Sequence, residues 1–348
     1  MKCTSLPSLR LELFASWSAI GLGLVLGLAS PVPNPAHALQ AQAESEDLIL
    51  AERELGVMGT DLVIKVLGGN RDELAKVIDA AVQELVRVED LMTDWRASPL
   101  TELNDAAGTG AHVVPKELAV LIQRGLDIGK LTSGAFDITY AGAGKLWDFK
   151  ADPPLIPDDA AIAEALKKVD YRRVVVDLAA STVDLPAGMR IGLGGIAKGY
   201  GVDRAMELLL KHDVKHALVS AGGDLKALGR EFGKLWEIAI RHPREAANIL
   251  AMIPLSNTCV MTSGDYERFF ERGGRRFHHI LDPRTGFPST GCMSATVTGP
   301  DAAFCDAIAT AMCVLGAGEG LKLIEAIPRV EALLVDMQGQ THVSSGLK

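Results

Sequence analysis

The 348-residue chain carries 35 Lys and Arg against 44 Asp and Glu, a formal net charge of −9, with 48% apolar and 23% charged residues. That composition is ordinary for a globular protein long enough to bury a sizeable core in one or two domains. The acidic balance argues against a general nucleic-acid binder, which carries a basic stripe, but it leaves room for an anion at a local site.

The chain opens with Lys2 and Arg10, an apolar run from Trp17 to Leu28, and a Pro-rich stretch ending in Ala36-His37-Ala38. This order reads as a secretory signal over residues 1–38 with an A-x-A cleavage site after Ala38. Glu12 is atypical for such a segment, there is no twin-Arg pair, and an uncleaved membrane anchor is the alternative. No Cys sits where a lipidated signal needs one. The expectation is export to the periplasm, with the mature chain starting at about Leu39 and any membrane association running through this segment. No later apolar stretch reads as long enough to cross a bilayer. Residues 39–50 form a polar lead-in, and 51–348 one folded unit.

Alternation predicts a strand over 57–68, "VMGTDLVIKVLG". Apolar spacing predicts helices over 71–95, 115–134 and 158–169, the second with Pro115 in its first turn and Gly134 past its end. Short strands and turns fill 171–195, and a helix covers 197–213. Strands follow in "HALVSAGG", "LWEIAIRHP" and "SNTCVMTSG", then two helices, "AFCDAIATAMCVLG" and "GEGLKLIEAIP", and a closing strand, "VEALLVDMQG". Helices and strands mix without a regular βαβ period, which points to one compact α+β unit of two lobes. Past the signal, Cys259, Cys292, Cys305 and Cys313 show no CxxC or metal spacing; one disulfide is possible in an oxidising compartment, and Cys305 and Cys313 read as small core residues.

Four stretches could carry chemistry. In "CDAIATAM" (305–312), Asp306 and Thr310 stand one helical turn apart on one face. A carboxylate and a hydroxyl so placed can share a hard cation such as Mg²⁺; equally, Asp306 could cap its own helix while Thr310 bonds back to a carbonyl. In "IGLGGIAKGYGVD" (191–203), a glycine corner precedes a helix start that could face an anion. Gly192-x-Gly194-x-x-Ala197 fits the dinucleotide fingerprint only loosely, and the P-loop pattern fails at Lys198. "GAFDITYAGAGKLWDF" (134–149) gathers aromatics that could hold a flat ring or simply fill core. In "RRFHHILDPRTGFP" (275–288), His278 and His279 are adjacent, so in extended backbone only one can serve a given site.

Taken in order, "VMGT", "LMTDWRASPLTELN", "GAFDITYAGAGKLW", "GLGGIAKGYGVDRA", "SAGGDLKALG", "TSGDYERFF", "HHILDPRTGFP" and "DAIATAM" resemble the ApbE family of FAD:protein FMN transferases from about residue 55 to 337. The resemblance implies an α+β, two-lobed catalytic unit with mixed or antiparallel sheets flanked by helices and FAD bound between the lobes. It implies Mg²⁺, transfer of FMN from FAD to a Thr hydroxyl of a target flavoprotein, and release of AMP; the targets would belong to respiratory or electron-transfer complexes. By motif, Asp306, Thr310 and the Gly195 carbonyl would hold the metal. Met58, Trp95 (where the family often has Tyr), Ala135, Phe136, Asp137, Lys198 and Ile280 would contact FAD, and His279, taken with an ordinary pKa, would be the base. The family commonly has Asp at the position of Gly192, which here departs from the pattern. An FAD pyrophosphatase giving FMN and AMP, a non-catalytic exported flavin-binding protein, and a nicotinamide-dependent oxidoreductase are the alternatives.

Overall fold

The computed structural model describes residues 48–348. The stretch expected to be a secretory signal and most of the lead-in lie outside the described residues. The first strand, β1 (Ile49–Val57), already takes in the last two residues assigned to that lead-in, and it pairs in register with β2 (Thr60–Gly68). The stretch expected as one strand over 57–68 is therefore the turn and second arm of a hairpin. Met58 and Gly59 make the two-residue turn, both with positive φ (57° and 69°), the sense whose twist matches the flanking strands.

Helix α1 (Arg71–Met92) follows, capped by Asn70, which accepts from the Asp72 and Glu73 N–H groups. A short helix, α2 (Pro99–Asp105), was not expected. Ser98 and Thr101 close a reciprocal cap on it, with Pro99 at its start. Strand β3 (Ala111–Val113) leads to α3 (Lys116–Leu131), a one-turn α4 (Ala141–Gly144) and α5 (Asp159–Leu166). With β4 (Val175–Asp177) and β5 (Thr182–Asp184) these make the second lobe, whose small sheet has the order β3-β5-β4.

Helix α6 (Ala197–Lys211) returns the chain to the first lobe. There β6 (His216–Ala221), β7 (Asp224–Leu228), a hairpin of β8 (Trp236–Arg241) and β9 (Ile249–Leu255), and β10 (Thr258–Gly264) follow. A second hairpin of β11 (Phe269–Arg272) and β12 (Arg275–His278) precedes β13 (Ser294–Gly299). The helical stretch α7 (Ala302–Glu325) is broken at Gly316 (φ 72°), which divides it as the two predicted helices were divided. Strands β14 (Glu331–Val335) and β15 (Thr341–Val343) close the chain.

The main sheet runs β1-β2-β6-β7-β10-β13-β14-β15, and every strand pairing among the described residues is antiparallel. Its faces follow the two-residue period of a strand. Ala217, Val219, Cys259 and Met261 join the large core shared with α1, α6 and α7, while Leu218 and Val260 pack with Trp236 and Leu255 of the β8–β9 hairpin. Helix α7 is long and apolar enough to cross a membrane by length and composition, unlike the sequence expectation, but more than half of that window is buried inside the protein. Its apolarity on all sides is what a central core helix needs.

Candidate functional site

The motif stretches converge on a cleft of about 630 Å³ lined from both lobes. A groove of similar volume beside the start of α1 carries none of them.

The floor of the cleft is the crossing of α6 and α7. Helix α6 begins without a side-chain cap, leaving orphan N–H groups in its first turn. Asp306 takes one of them: its Oδ2 accepts the Gly199 N–H at 3.0 Å. The crossing is close enough that a Cβ on Gly199 would lie 2.2 Å from the Ala302 carbonyl oxygen, so only glycine fits there. Asp301, not Asp306, caps α7 by accepting the Phe304 N–H. Asp306 is 3% exposed, and Thr310 sits a turn later with its hydroxyl 3.1 Å from that of Ser263. Gly195 completes the corner: a Cβ there would lie 3.0 Å from the Phe136 ring and 3.7 Å from Thr310 Oγ1, so its bare backbone stands against the hydroxyl. A carboxylate, a hydroxyl and a backbone position thus line the same cleft. These are hard oxygen donors and few in number, the set that suits Mg²⁺ with phosphate oxygens filling its other positions. Among the described residues no three His, Cys, Asp or Glu side chains gather into a metal-holding group.

Lys198, on the first turn of α6, is 3.5 Å from Asp306 Oδ1 and makes its closer contact with Asp224 Oδ2. Asp224 is 3% exposed and was not singled out from the sequence, although it ends the quoted Gly222-Gly223 corner. Ser263 was missed as well, since nothing in a strand pattern marks which hydroxyl will face a helix.

The upper wall is built from Ala135, Phe136, Met58 and Ile280, all of which line the cleft. Met58 is held by its N–H to Glu89 (2.9 Å), and its sulfur fits against the missing side chain of Gly201. Asp137 also lines the cleft, but its carboxylate is occupied: Oδ1 accepts from the Thr139 N–H and hydroxyl, and Oδ2 from the Tyr171 N–H. Trp95 is 64% exposed and does not line the cleft; its neighbour Asp94 does. A Cβ on Gly192 would meet Ala141 at 2.8 Å and come within 4.0 Å of Asp94 Oδ2. A carboxylate therefore stands beside position 192, though not on it. Trp147 lines one end of the cleft, but its ring belongs to a small aromatic core, stacked 6.0 Å from Phe149, and its N–H is bonded to the Gly286 carbonyl.

The two histidines separate as the extended backbone requires. His278 is buried away from the cleft with Nε2 on the Ser289 carbonyl (3.0 Å). His279 lines the cleft, and its Nδ1 is buried with no partner. Burial first, and then the positive field of Arg268 on the same wall, pushes its pKa down from 6.5 to about 4. The ordinary value expected from sequence is corrected: this imidazole is neutral at physiological pH and a weaker base than a solvated one.

A sequence profile described as the ApbE family matches residues 58–334. A Treponema pallidum protein named FAD:protein FMN transferase is 38% identical over 267 residues, covering 72% of this chain and 74% of its own. One from Klebsiella pneumoniae is 31% identical over 83% of this chain and 90% of its own. Among solved structures, an ApbE protein of Thermotoga maritima superposes with a TM-score of 0.79 at 34% identity, covering 86% of this chain and 98% of that one. The flavin transferase ApbE from Vibrio cholerae gives 0.77 at 25% identity, covering 86% and 98%. The glycine-lined helix crossing and the histidine wall lie inside the matched span, and the chain belongs to the ApbE family.

Proposed function

We propose that this chain is a Mg²⁺-dependent FAD:protein FMN transferase. It moves FMN from FAD onto a Thr hydroxyl of a target flavoprotein in a respiratory or electron-transfer complex, releases AMP, and works outside the cytoplasm. The names of its relatives support the transfer of FMN. The observation that carries the reading is one cleft holding both an oxygen-donor corner at Asp306, Thr310 and Gly195 and a neutral His279 whose Nδ1 has no partner.

Phosphoryl transfer asks a protein mainly for positioning and charge neutralisation. Asp306, Thr310 and the Gly195 carbonyl would hold Mg²⁺, which supplies charge neutralisation to the pyrophosphate and the departing AMP. Lys198 adds a positive charge at the same end of the cleft. Phe136, Met58 and Ile280 offer apolar surface to a flat ring and exclude water from it. The acceptor oxygen forms a bond to the FMN phosphorus as the bond from that phosphorus to the bridging oxygen breaks, and the bridging oxygen leaves with AMP. His279 takes the hydroxyl proton. With a pKa near 4 it does so late, once bond formation has made the hydroxyl acidic.

The test is incubation with FAD, Mg²⁺ and a flavoprotein domain bearing an acceptor Thr, read by intact mass. A domain gaining one FMN confirms transfer. Free FMN and AMP with an unmodified domain mean a pyrophosphatase, and unchanged FAD means a carrier.

A further inference from the structure

Asp224 is as buried as Asp306, yet no part of the transfer chemistry above uses it. It opens β7 directly after Gly222 and Gly223, both at positive φ (65° and 91°), a corner that turns its side chain into the cleft. Its Oδ1 accepts the Thr262 N–H at 2.8 Å. The β7–β10 ladder ends at the Leu225–Val260 pair, so the carboxylate satisfies a donor that the sheet leaves over, and its position is fixed. Its Oδ2 bonds the Lys198 ammonium.

That ammonium lies between two carboxylates. Asp306 has one oxygen committed to the Gly199 N–H, and its other oxygen, Oδ1, faces Lys198 at 3.5 Å. A half-buried ammonium without a partner moves to the nearest carboxylate, because the alternative is an uncompensated charge in a poorly solvated place. We propose that Asp224 is a positioning residue: it holds Lys198 to one side, so that Asp306 Oδ1 stays open to a divalent cation and the ammonium stays directed into the cleft. The proposal rests on the metal part of the functional reading above. If Asp224 is neutralised, Lys198 closes onto Asp306 and competes with the cation for the same oxygen.

The measurement is Mn²⁺ affinity, by electron paramagnetic resonance of the free ion, on the full chain without FAD or acceptor. Asp224→Asn keeps the shape and an acceptor for the Thr262 N–H. It should weaken Mn²⁺ binding by at least about tenfold. Adding Lys198→Met to that variant removes the competitor and should bring affinity back to within about threefold of wild type. The double variant leaves no unpaired charge of the pair, so it stays informative even where Asp224→Asn alone fails to fold. Asp224→Asn binding Mn²⁺ like wild type overturns the assignment. So does a double variant that stays at least about tenfold weak, which would make Asp224 a ligand in its own right. A wild-type chain that takes up no Mn²⁺, either alone or with added pyrophosphate, overturns the metal reading itself, and this one with it.

Discussion

Two of the ionic networks on helix α6 are built on opposite plans. On its outer side, Arg87 of α1 grips Glu117 of α3 with two N–H groups (2.7 and 2.8 Å) and Glu84 with two more. Arg204 adds a bond to Glu84 and one to Glu207, and the Tyr200 hydroxyl donates to Glu117. Guanidinium forks match carboxylates, so donors and acceptors are nearly all used. The Glu84 and Glu117 carboxyls are held below the usual range, chiefly by Arg87, and surplus charge on Glu207 faces water. On the inner side a single lysine serves Asp224 and Asp306, each 3% exposed. A point charge cannot satisfy two buried carboxylates at once. The outer network clamps three helices together and needs nothing more; the inner one is short of positive charge where a cation and a pyrophosphate would meet.

Substitutions should separate the two. Asp306→Ala removes an oxygen of the proposed metal corner and orphans the Gly199 N–H; transfer should fall on the order of 10³-fold or more, measured as FMN attached per minute at saturating Mg²⁺. His279→Ala should lower kcat roughly 10²-fold, the low end of general-base effects because the base is weak, with FAD affinity from fluorescence quenching unchanged. Its titration gives a sharper check. As the proposed base, His279 works when neutral, so the rate should stay level as pH falls through 6.5 and drop only towards about 4. Stability has the same sign: the unfolded chain protonates this histidine first, so its contribution is complete above pH 6.5 and lost as pH falls to about 4, visible in thermal melts. Gly199→Ala forces a Cβ against the Ala302 carbonyl and should cost about 1–3 kcal/mol of stability in denaturant unfolding, with weaker metal binding because the helices part. Smallest of all, Arg87→Ala on the outer side should cost about 1 kcal/mol or less, shrink further in high salt, and leave the transfer rate alone. A large rate effect there would erase the distinction between the networks.

Much of this was legible in advance. Helices α1, α3, α5 and α6 follow from apolar spacing within a few residues of their ends, and the break at Gly316 from a glycine between two periodic runs. Asp306 and Thr310 sharing a face follows from the helical repeat. Opposed histidines follow from the strand repeat. The hairpin at Met58-Gly59 was harder to read, because a methionine at positive φ is not a turn signal; it is held there by Glu89 and by the space at Gly201.

Local periodicity and ordered motifs thus determined the element types, the family resemblance, and which residue types would face one another along each helix or strand, since those depend on neighbours a few positions away. Tertiary structure alone decided that Asp306 caps α6 rather than α7, that Asp224 comes to Lys198, that Asp94 rather than Trp95 lines the cleft, and that burial strips His279 of its ordinary basicity. Each of these is a contact or a loss of water set by segments distant in the chain, and burial and charge balance exist only once those segments have packed.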